Sequence, residues 1–489
     1  MKKVLCILLA ALTVSGAVFL TGCADKPAAD SATQTEITTV AETEPEETVI
    51  EADLPDAYYN GKPFRVILQS DSEGDIFTED HETGEPVHDA VFQRNVKVCD
   101  EFGIELQITR NDYTAVNNAI SNSVKSGSDE YDLCFVHMVS GASLAQSNLV
   151  LPFQKLPYVD LEKPWWDKDI NNGFSIRNNL MMVNGDLSPR SFSLTSCLYF
   201  NKTLFDKFDL EYPYELVRTG RWTLDRLYEL TKGVTADYDG DGAVTKDSKS
   251  DIYCLTSWYL DVPYSFYYAA GGMLVSKDQD DVPYYDPQIE RDTQIYGKIY
   301  DIIIGNNAYF ETEMSDYMRV IETFIEGRAL FYDSTLAASG TLRDMDNEFG
   351  ILPVPKLNES QSDYGSFVNG ASSMICVPAT VPSANREFVS IIIEALASEA
   401  YHTVTPVLKE TYLKRKITRD ADSSDMIDFI VRNRVFDMAY VNMHDGVGSY
   451  VRDLLNKKAT DISAELEKYQ KSAKKKIETI VRSFDKSLQ

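Results

Sequence analysis

The stretch that decides the fold begins with Pro63-Phe64-Arg65-Val66-Ile67-Leu68, an apolar run typical of a buried strand. A helical pattern follows from Asp89 to Phe102 and stops at Gly103, a residue type that often ends helices. Residues 104–108 then alternate between apolar and polar side chains, as a second strand does. A strand, a helix and a strand in this order predict a βαβ unit and a parallel sheet.

The same alternation continues along most of the chain. Further strands are predicted at residues 131–136, 194–200, 328–333 and 349–355. Further helices are predicted at residues 113–125, 141–147, 289–304, 315–327 and 461–484. The sequence therefore predicts an α/β protein.

Length and charge narrow the class of protein. The chain has 489 residues, which is too long for one hydrophobic core and predicts at least two domains. The formal net charge is −29, from 47 basic and 76 acidic residues. This excess of acidic residues argues against nucleic-acid binding, because phosphates are bound by Lys and Arg. It argues equally against attachment to anionic lipid through a basic surface.

The N-terminus has the pattern of an export signal. Lys2 and Lys3 precede an apolar run from Val4 to Leu20, and small residues lead to a cysteine. Leu20-Thr21-Gly22-Cys23 resembles the lipobox of bacterial lipoproteins. The resemblance implies that residues 1–22 are a signal peptide and that lipid on Cys23 anchors the protein outside the cytoplasm. A plain signal peptide, or a membrane anchor with a chance cysteine, is the alternative.

The segment after Cys23 is rich in Ala, Thr, Glu, Asp and Pro. Such a segment buries too little apolar surface to offset the entropy lost on ordering. We therefore expect residues 23–60 to form a disordered acidic tether with a reach of about 30 Å.

Five stretches, in family order, resemble the extracellular solute-binding proteins of ABC importers. The likeness is to the sugar-binding branch, which has the maltose-binding, periplasmic-binding-protein type 2 fold. The stretches are Leu198-Tyr199-Phe200-Asn201-Lys202 with Leu204-Phe205, Trp222-Thr223-Leu224-Asp225-Arg226-Leu227, the acidic glycine loop at 237–251, Phe324-Ile325-Glu326-Gly327-Arg328-Ala329-Leu330-Phe331, and Phe349-Gly350-Ile351-Leu352-Pro353-Val354-Pro355-Lys356.

This resemblance implies two α/β lobes, each a mainly parallel sheet flanked by helices. Crossover strands near residues 186–194, 328–334 and 353–366 would join them. We accordingly expect the first lobe to comprise residues 61–190 and 331–356. The second lobe is expected to comprise residues 191–330 and 357–489, with a helical C-terminus.

The run Asp237-Tyr238-Asp239-Gly240-Asp241-Gly242-Ala243 has the start of a calcium-binding loop. The acid expected at position 12 is replaced by Ser248, and Asp251 follows three places later. In the resembling family the closing acid often precedes x-Tyr-Gly, which favours Asp251 with a loop insertion. We predict a structural Ca²⁺ held by Asp237, Asp239, Asp241 and Asp251. A solvated Asp/Gly turn is the alternative.

Ligands of open α/β sheets lie beyond the carboxyl ends of the strands. By this rule the turn after the first predicted strand faces the cleft between the lobes, as do two later strand ends. The predicted ligand contacts at these positions are Asp71, Tyr332, Asp333 and Asn369.

Aromatic side chains are the second group of predicted ligand contacts. Trp258 and Tyr264 lie in a tyrosine-rich stretch ahead of Gly271, where rings can stack on a sugar and hydroxyls can bind it. Packing in the core is the alternative for both. For the pair Trp165-Trp166, packing is the favoured interpretation.

No catalytic motif is found. The five histidines form no HExxH, and neither GxSxG nor GxxxxGK[ST] occurs. We therefore predict a binding protein and not an enzyme: a lipid-anchored receptor that delivers a polar ligand, an oligosaccharide or similar sugar, to the membrane subunits of an ABC importer. The alternatives are an exported carbohydrate-active enzyme with a carboxylate pair and a surface adhesion or scaffold lipoprotein.

Overall fold

Two β-sheets, each flanked by helices, organise the fold. The computed structural model describes residues 50–70, 81–245, 248–311, 313–342, 345–409, 421–444, 446–459 and 461–487. The predicted signal peptide, Cys23 and Asp71 lie outside these residues.

The strands of the described residues, in chain order, are β1 (Lys62–Gln69), β2 (Ile104–Asn111), β3 (Leu133–His137), β4 (Ser196–Asn201), β5 (Tyr253–Trp258), β6 (Val275–Lys277), β7 (Pro283–Tyr285), β8 (Tyr309–Glu311), β9 (Ala329–Thr335), β10 (Phe349–Leu352), β11 (Ser366–Phe367), β12 (Ser373–Cys376) and β13 (Arg434–Val435). The α-helices are α1 (Pro86–Phe102), α2 (Tyr113–Ser126), α3 (Met138–Gln146), α4 (Lys168–Phe174), α5 (Arg190–Ser193), α6 (Lys202–Lys207), α7 (Tyr214–Arg218), α8 (Leu224–Thr231), α9 (Val262–Ala269), α10 (Ile289–Tyr300), α11 (Tyr317–Ile325), α12 (Ser339–Leu342), α13 (Arg386–Glu399), α14 (Thr405–Val407), α15 (Ala421–Arg432), α16 (Met438–Asn442), α17 (Tyr450–Lys457) and α18 (Ile462–Ser487).

The first sheet has the strand order β12-β3-β1-β2. β1 runs parallel to β2 and to β3, and β12 runs antiparallel to β3. Helix α1 connects β1 to β2, so the predicted βαβ unit is confirmed. Its limits follow from local chemistry: the Glu85 side chain caps the first turn, and Gly103 ends the helix with a left-handed φ of 59°.

The second sheet has the order β10-β4-β9-β5-β8 and is mixed. β5 is parallel to β8 and β9, whereas β4 is antiparallel to β9 and β10. The two-lobed α/β fold predicted from the sequence is therefore confirmed, although the second sheet has as many antiparallel as parallel pairs.

The boundaries predicted for the lobes need correction. Residues 331–356 were expected in the first lobe, but β9 and β10, which cover most of this range, pair within the second sheet. Conversely, β12 belongs to the first sheet, and α13 packs against α1 beside it. The error has a physical cause: hydrophobic periodicity identifies a strand, but it does not identify the partner strand, which lies far away in the sequence.

The predicted tether also ends earlier than expected. The residues just before β1 pack on the first lobe: Tyr59 N–H donates to the Phe102 carbonyl (2.8 Å), and the Tyr59 ring meets that of Phe388 edge-on at 4.6 Å. Near the start of this segment, the Lys163 ammonium donates to the Glu51 carbonyl (3.0 Å). Disorder is therefore the wrong prediction for residues 51–60, where aromatic and aliphatic side chains supply apolar surface.

The long C-terminal helix α18, which the sequence predicts, contacts elements of both lobes. It packs against α3 beside the first sheet, and against α10 and β7 on the other side. Within the described residues, no helix combines the length and the apolar character that crossing a membrane requires.

Candidate functional site

The carboxyl ends of strands from both sheets meet at one segment, residues 368–373. From the first sheet, the Gln69 amide at the end of β1 donates to the Ser373 hydroxyl (3.0 Å). From the second lobe, the Leu194 carbonyl accepts from Asn369 N–H (2.9 Å). The Asn369 side-chain amide in turn donates to Asp261 Oδ1 (3.3 Å). The segment thus lies between the lobes, where the strand-end rule places a ligand site.

Two carboxylates form the acidic side of this site. Asp333, near the end of β9, is fully buried and accepts hydrogen bonds from the hydroxyls of Ser257 (3.0 Å) and Ser265 (2.7 Å). Asp261 lies directly before α9 and is half-buried. The backbone carbonyl of Asp261 accepts from Ser265 N–H (2.9 Å), so Ser265 contacts the Asp333 carboxylate and the Asp261 main chain.

Burial affects the protonation of both carboxyl groups. Burial raises the pKa of Asp261 to about 7, and the hydrogen bond from Asn369 offsets part of this effect. The pKa of Asp333 is raised well above its usual value, first by burial and then by the negative charge of Asp261. The site is therefore a pair of acids that resist simultaneous ionisation.

Aromatic rings surround the acids. Trp258, the last residue of β5, is half-buried, and its ring lies 4.7 Å from that of Tyr317 and 5.1 Å from that of Tyr259. Tyr332 is buried, and its ring stacks on that of Tyr199 with 5.8 Å between the centroids.

Tyr264, which the sequence predicts as a ligand contact, packs among other aromatic rings. It is 1% exposed, and its ring stacks on Phe367 at 5.7 Å and meets Tyr440 edge-on at 4.8 Å. Since its ring is enclosed by other rings, Tyr264 belongs to the core beneath the site, as the alternative interpretation had it.

The structure thus brings together four of the predicted ligand contacts: Trp258, Tyr332, Asp333 and Asn369. Asp333 and Tyr332 are buried, and as consecutive residues of β9 they lie on opposite faces of the second sheet. Sequence reasoning missed Asp261. The strand-end rule was a usable signal for it, because Asp261 follows the end of β5 by three residues.

The pair Trp165-Trp166 packs in the core, as the sequence favoured. Both rings are at least 98% buried, and their indole N–H groups donate to opposite oxygens of Glu394 at 2.9 and 3.0 Å. Burial raises the pKa of Glu394 to about 7, and the two indole hydrogen bonds lessen the shift.

Three of the four predicted calcium ligands lie close together. One carboxylate oxygen from each of Asp237, Asp239 and Asp251 lies within 4.8 Å of the other two. This separation fits oxygen ligands at about 2.3–2.6 Å from a shared Ca²⁺. Asp241, whose carboxylate accepts from Ala243 N–H (2.9 Å), lies outside this group. The loop precedes β5 and Asp261 follows it, so the two groups of acids lie at opposite ends of that strand.

No protein-family model matches the sequence, and no curated protein is detectably similar to it. Among solved structures, an ABC transporter solute-binding protein from Agrobacterium radiobacter in complex with ribitol matches with a TM-score of 0.53 and 14% identity, over 86% of this chain and 99% of the other. MalE, a maltose/maltodextrin-binding domain from Bdellovibrio bacteriovorus bound to maltotriose, matches with a TM-score of 0.53 and 16% identity, over 85% and 100%. An ABC substrate-binding protein from Listeria monocytogenes in complex with cycloalternan gives 0.54 and 12%, over 86% and 99%.

At these identities the likeness concerns the fold. The chain has the two-lobed fold of the maltose-binding type of ABC solute-binding proteins. These three structures are of binding proteins in complex with a sugar or a polyol.

Proposed function

We propose that this chain is an extracytoplasmic receptor that binds a polar solute, a sugar or polyol, between its two lobes for uptake by an ABC importer. The observation that supports the proposal most is the convergence of strand ends from both sheets on residues 368–373. The side chains there, an amide, carboxylates and aromatic rings, are those that sugar-binding clefts use.

Binding in such a cleft selects a closed conformation. A ligand held beside segment 368–373 touches groups that reach both lobes, so it stabilises the closed arrangement by its differential affinity. The closed form is the one that the membrane subunits of the importer recognise. The receptor itself makes and breaks no covalent bond in this account.

The membrane attachment is part of the same proposal. A lipid on Cys23 keeps the receptor at the outer face of the cytoplasmic membrane, and the acidic segment after it gives the folded part reach. An exported receptor with these features delivers its ligand without diffusing away from the permease.

We also propose that the turn with Asp237, Asp239 and Asp251 binds a structural Ca²⁺. The proximity of the three carboxylate oxygens supports it. Asp241 contributes charge near the ion without being a direct ligand in the arrangement described above.

Titration calorimetry of the full chain against a panel of neutral and charged oligosaccharides, monosaccharides and polyols tests the receptor proposal. We expect saturable one-to-one binding of at least one member. The Trp258→Ala variant should weaken that binding about 10-fold or more, because a stacked ring is lost. Tyr284→Ala, which removes an exposed ring on β7, is the matched control and should bind normally. Turnover of a glycan by the purified chain would instead make it an enzyme.

A further inference from the structure

We infer that a cavity at the junction of the two lobes binds a small hydroxylated carboxylate, of the sugar-acid or hydroxy-acid class. This second site is separate from the interlobe site of the proposed function, and it does not depend on that function.

The walls of this junction cavity come from both lobes. Its volume is about 330 Å³, which is within the range of small-molecule sites. Trp165 and Asp186 line it from the first lobe, and Arg432, the last residue of α15, lines it from the second. Helix α15 packs against β10 of the second sheet. None of the described residues of the interlobe site lines this cavity, so the two are different places in the fold.

Positive charge in the junction cavity exceeds negative charge. Its lining carries the cations Lys409, Arg432 and Arg434 and the acids Asp167 and Asp186, in a chain whose formal net charge is −29. The Arg434 guanidinium is paired with the Asp167 carboxylate. Lys409 and Arg432 form no ion pair with a described residue. An anion that enters the cavity can therefore pair with two cations that have no described counter-ion.

The Phe192 ring holds two of these cations at one wall. The Arg434 guanidinium carbon lies 4.5 Å from the ring centroid, and the Lys409 ammonium nitrogen lies 5.5 Å from it. A ring attracts a cation through its quadrupole and leaves the N–H groups of the ammonium available as donors. Lys409 is therefore placed to donate to a carboxylate in the cavity.

Asp186 supplies an acceptor for a hydroxyl group. It is 8% exposed, and one of its oxygens accepts from the Thr405 hydroxyl (2.8 Å). The other oxygen receives no hydrogen bond from a described residue. Burial raises the pKa of Asp186 to about 6, and the Thr405 hydrogen bond and the charges of Lys409 and Arg434 lessen the shift. The acid is therefore ionised at pH 8 and accepts from a hydroxyl of the ligand.

Calorimetry on the full chain at about pH 8 and low salt tests the inference, since screening is weak under these conditions. The acids are gluconate and glucuronate, and sorbitol and glucose are their neutral counterparts. Hexanoate has the carboxylate without the hydroxyl groups. We expect at least one of the two acids to bind saturably, about 10-fold or more tightly than its neutral counterpart and than hexanoate, because only the hydroxy acids pair with the cations and with Asp186 together.

Two variants locate the binding. Lys409→Gln and Arg432→Gln should each weaken it about 10-fold or more, because each removes a charged donor. Lys475→Gln, at an exposed cation on α18, is the matched control and should bind within about threefold of wild type. Lys409 and Arg432 are exposed, so both variants should fold, and their melting temperatures check this.

Three results would overturn the inference. The first is that neither acid binds, or that a neutral counterpart or hexanoate binds as tightly. The second is acid binding that is unchanged in both Lys409→Gln and Arg432→Gln. The third is acid binding that is lost in Trp258→Ala and kept in both cavity variants, which would place the acid at the interlobe site. Each of these leaves the receptor proposal to its own panel of sugars and polyols, so the two failures are distinguishable.

Discussion

At the scale of single residues, Glu394 shows how burial and hydrogen bonding compete. Its two oxygens each accept an indole N–H, from Trp165 and from Trp166. Burial nevertheless raises the pKa to about 7 in the folded chain, above the value of an unfolded glutamate. The folded state therefore binds a proton more tightly than the unfolded state does.

The sign of the pH dependence follows from this difference. The contribution of Glu394 to the free energy of unfolding is complete below about pH 4.5, and it is lost as the pH rises through about 7. Glu394→Gln removes this dependence. It should also cost about 1–3 kcal/mol at low pH, because one indole N–H then faces an amide N–H₂.

Chemical denaturation of the wild type and of Glu394→Gln at several pH values between about 4.5 and 8 measures this. The difference between the two free energies should shrink as the pH rises. Glu359→Gln, at an exposed position, serves as the control and should track the wild type. An offset between wild type and Glu394→Gln that does not change with pH would contradict the assignment.

At the residue scale, the sequence could predict where some side chains lie, and their contact with a ligand stays a prediction. The strand-end rule placed Asp333 and Asn369 at the edge between the lobes, where the structure has them. It did not say which side chains are exposed, because exposure depends on the helix packed over each strand. Tyr264 illustrates this: its ring is enclosed by Phe367 and Tyr440, which lie about 100 and 175 residues further along the chain.

At the scale of elements, the acidic turn around Asp237 has its own test. If Ca²⁺ binds the folded turn and not the unfolded chain, it raises the melting temperature, and a ligand at about 100 times its Kd adds about 2.7 kcal/mol. Scanning calorimetry after dialysis against a chelator, with and without added Ca²⁺, measures the shift.

Asp239→Asn should abolish most of the Ca²⁺ response, because it removes one of the three clustered carboxylates. Asp280→Asn, at an exposed acid in a different turn, should keep it. A wild-type melting temperature that is the same with chelator and with Ca²⁺ would rule the site out, and the turn would then be a solvated Asp/Gly loop.

Strands and helices could be placed from the sequence where the residues that determine their position lie close together in the chain. The βαβ unit of β1, α1 and β2 was predictable because periodicity, the Gly103 stop and the short connection lie within about 50 residues. The sheets to which β9, β10 and β12 belong could not be predicted, because the strands with which they pair are distant in sequence. The family resemblance named the fold correctly but placed 331–356 in the wrong lobe.

At the scale of the whole molecule, the chain uses strand ends from two sheets to build one polar site. The segment 368–373 contacts both lobes, so a ligand there is sensitive to their relative position. This is the physical basis on which a receptor signals that it is loaded.

Native mass spectrometry of the full chain, purified from bacteria grown on complex medium, tests the central claim most directly. The account predicts a low-mass polar compound bound one-to-one, released unchanged on denaturation and absent after Trp258→Ala. Two results would contradict this account. One is release of the compound in a chemically altered form. The other is a chain that carries no ligand after purification and binds no member of the panel of sugars and polyols.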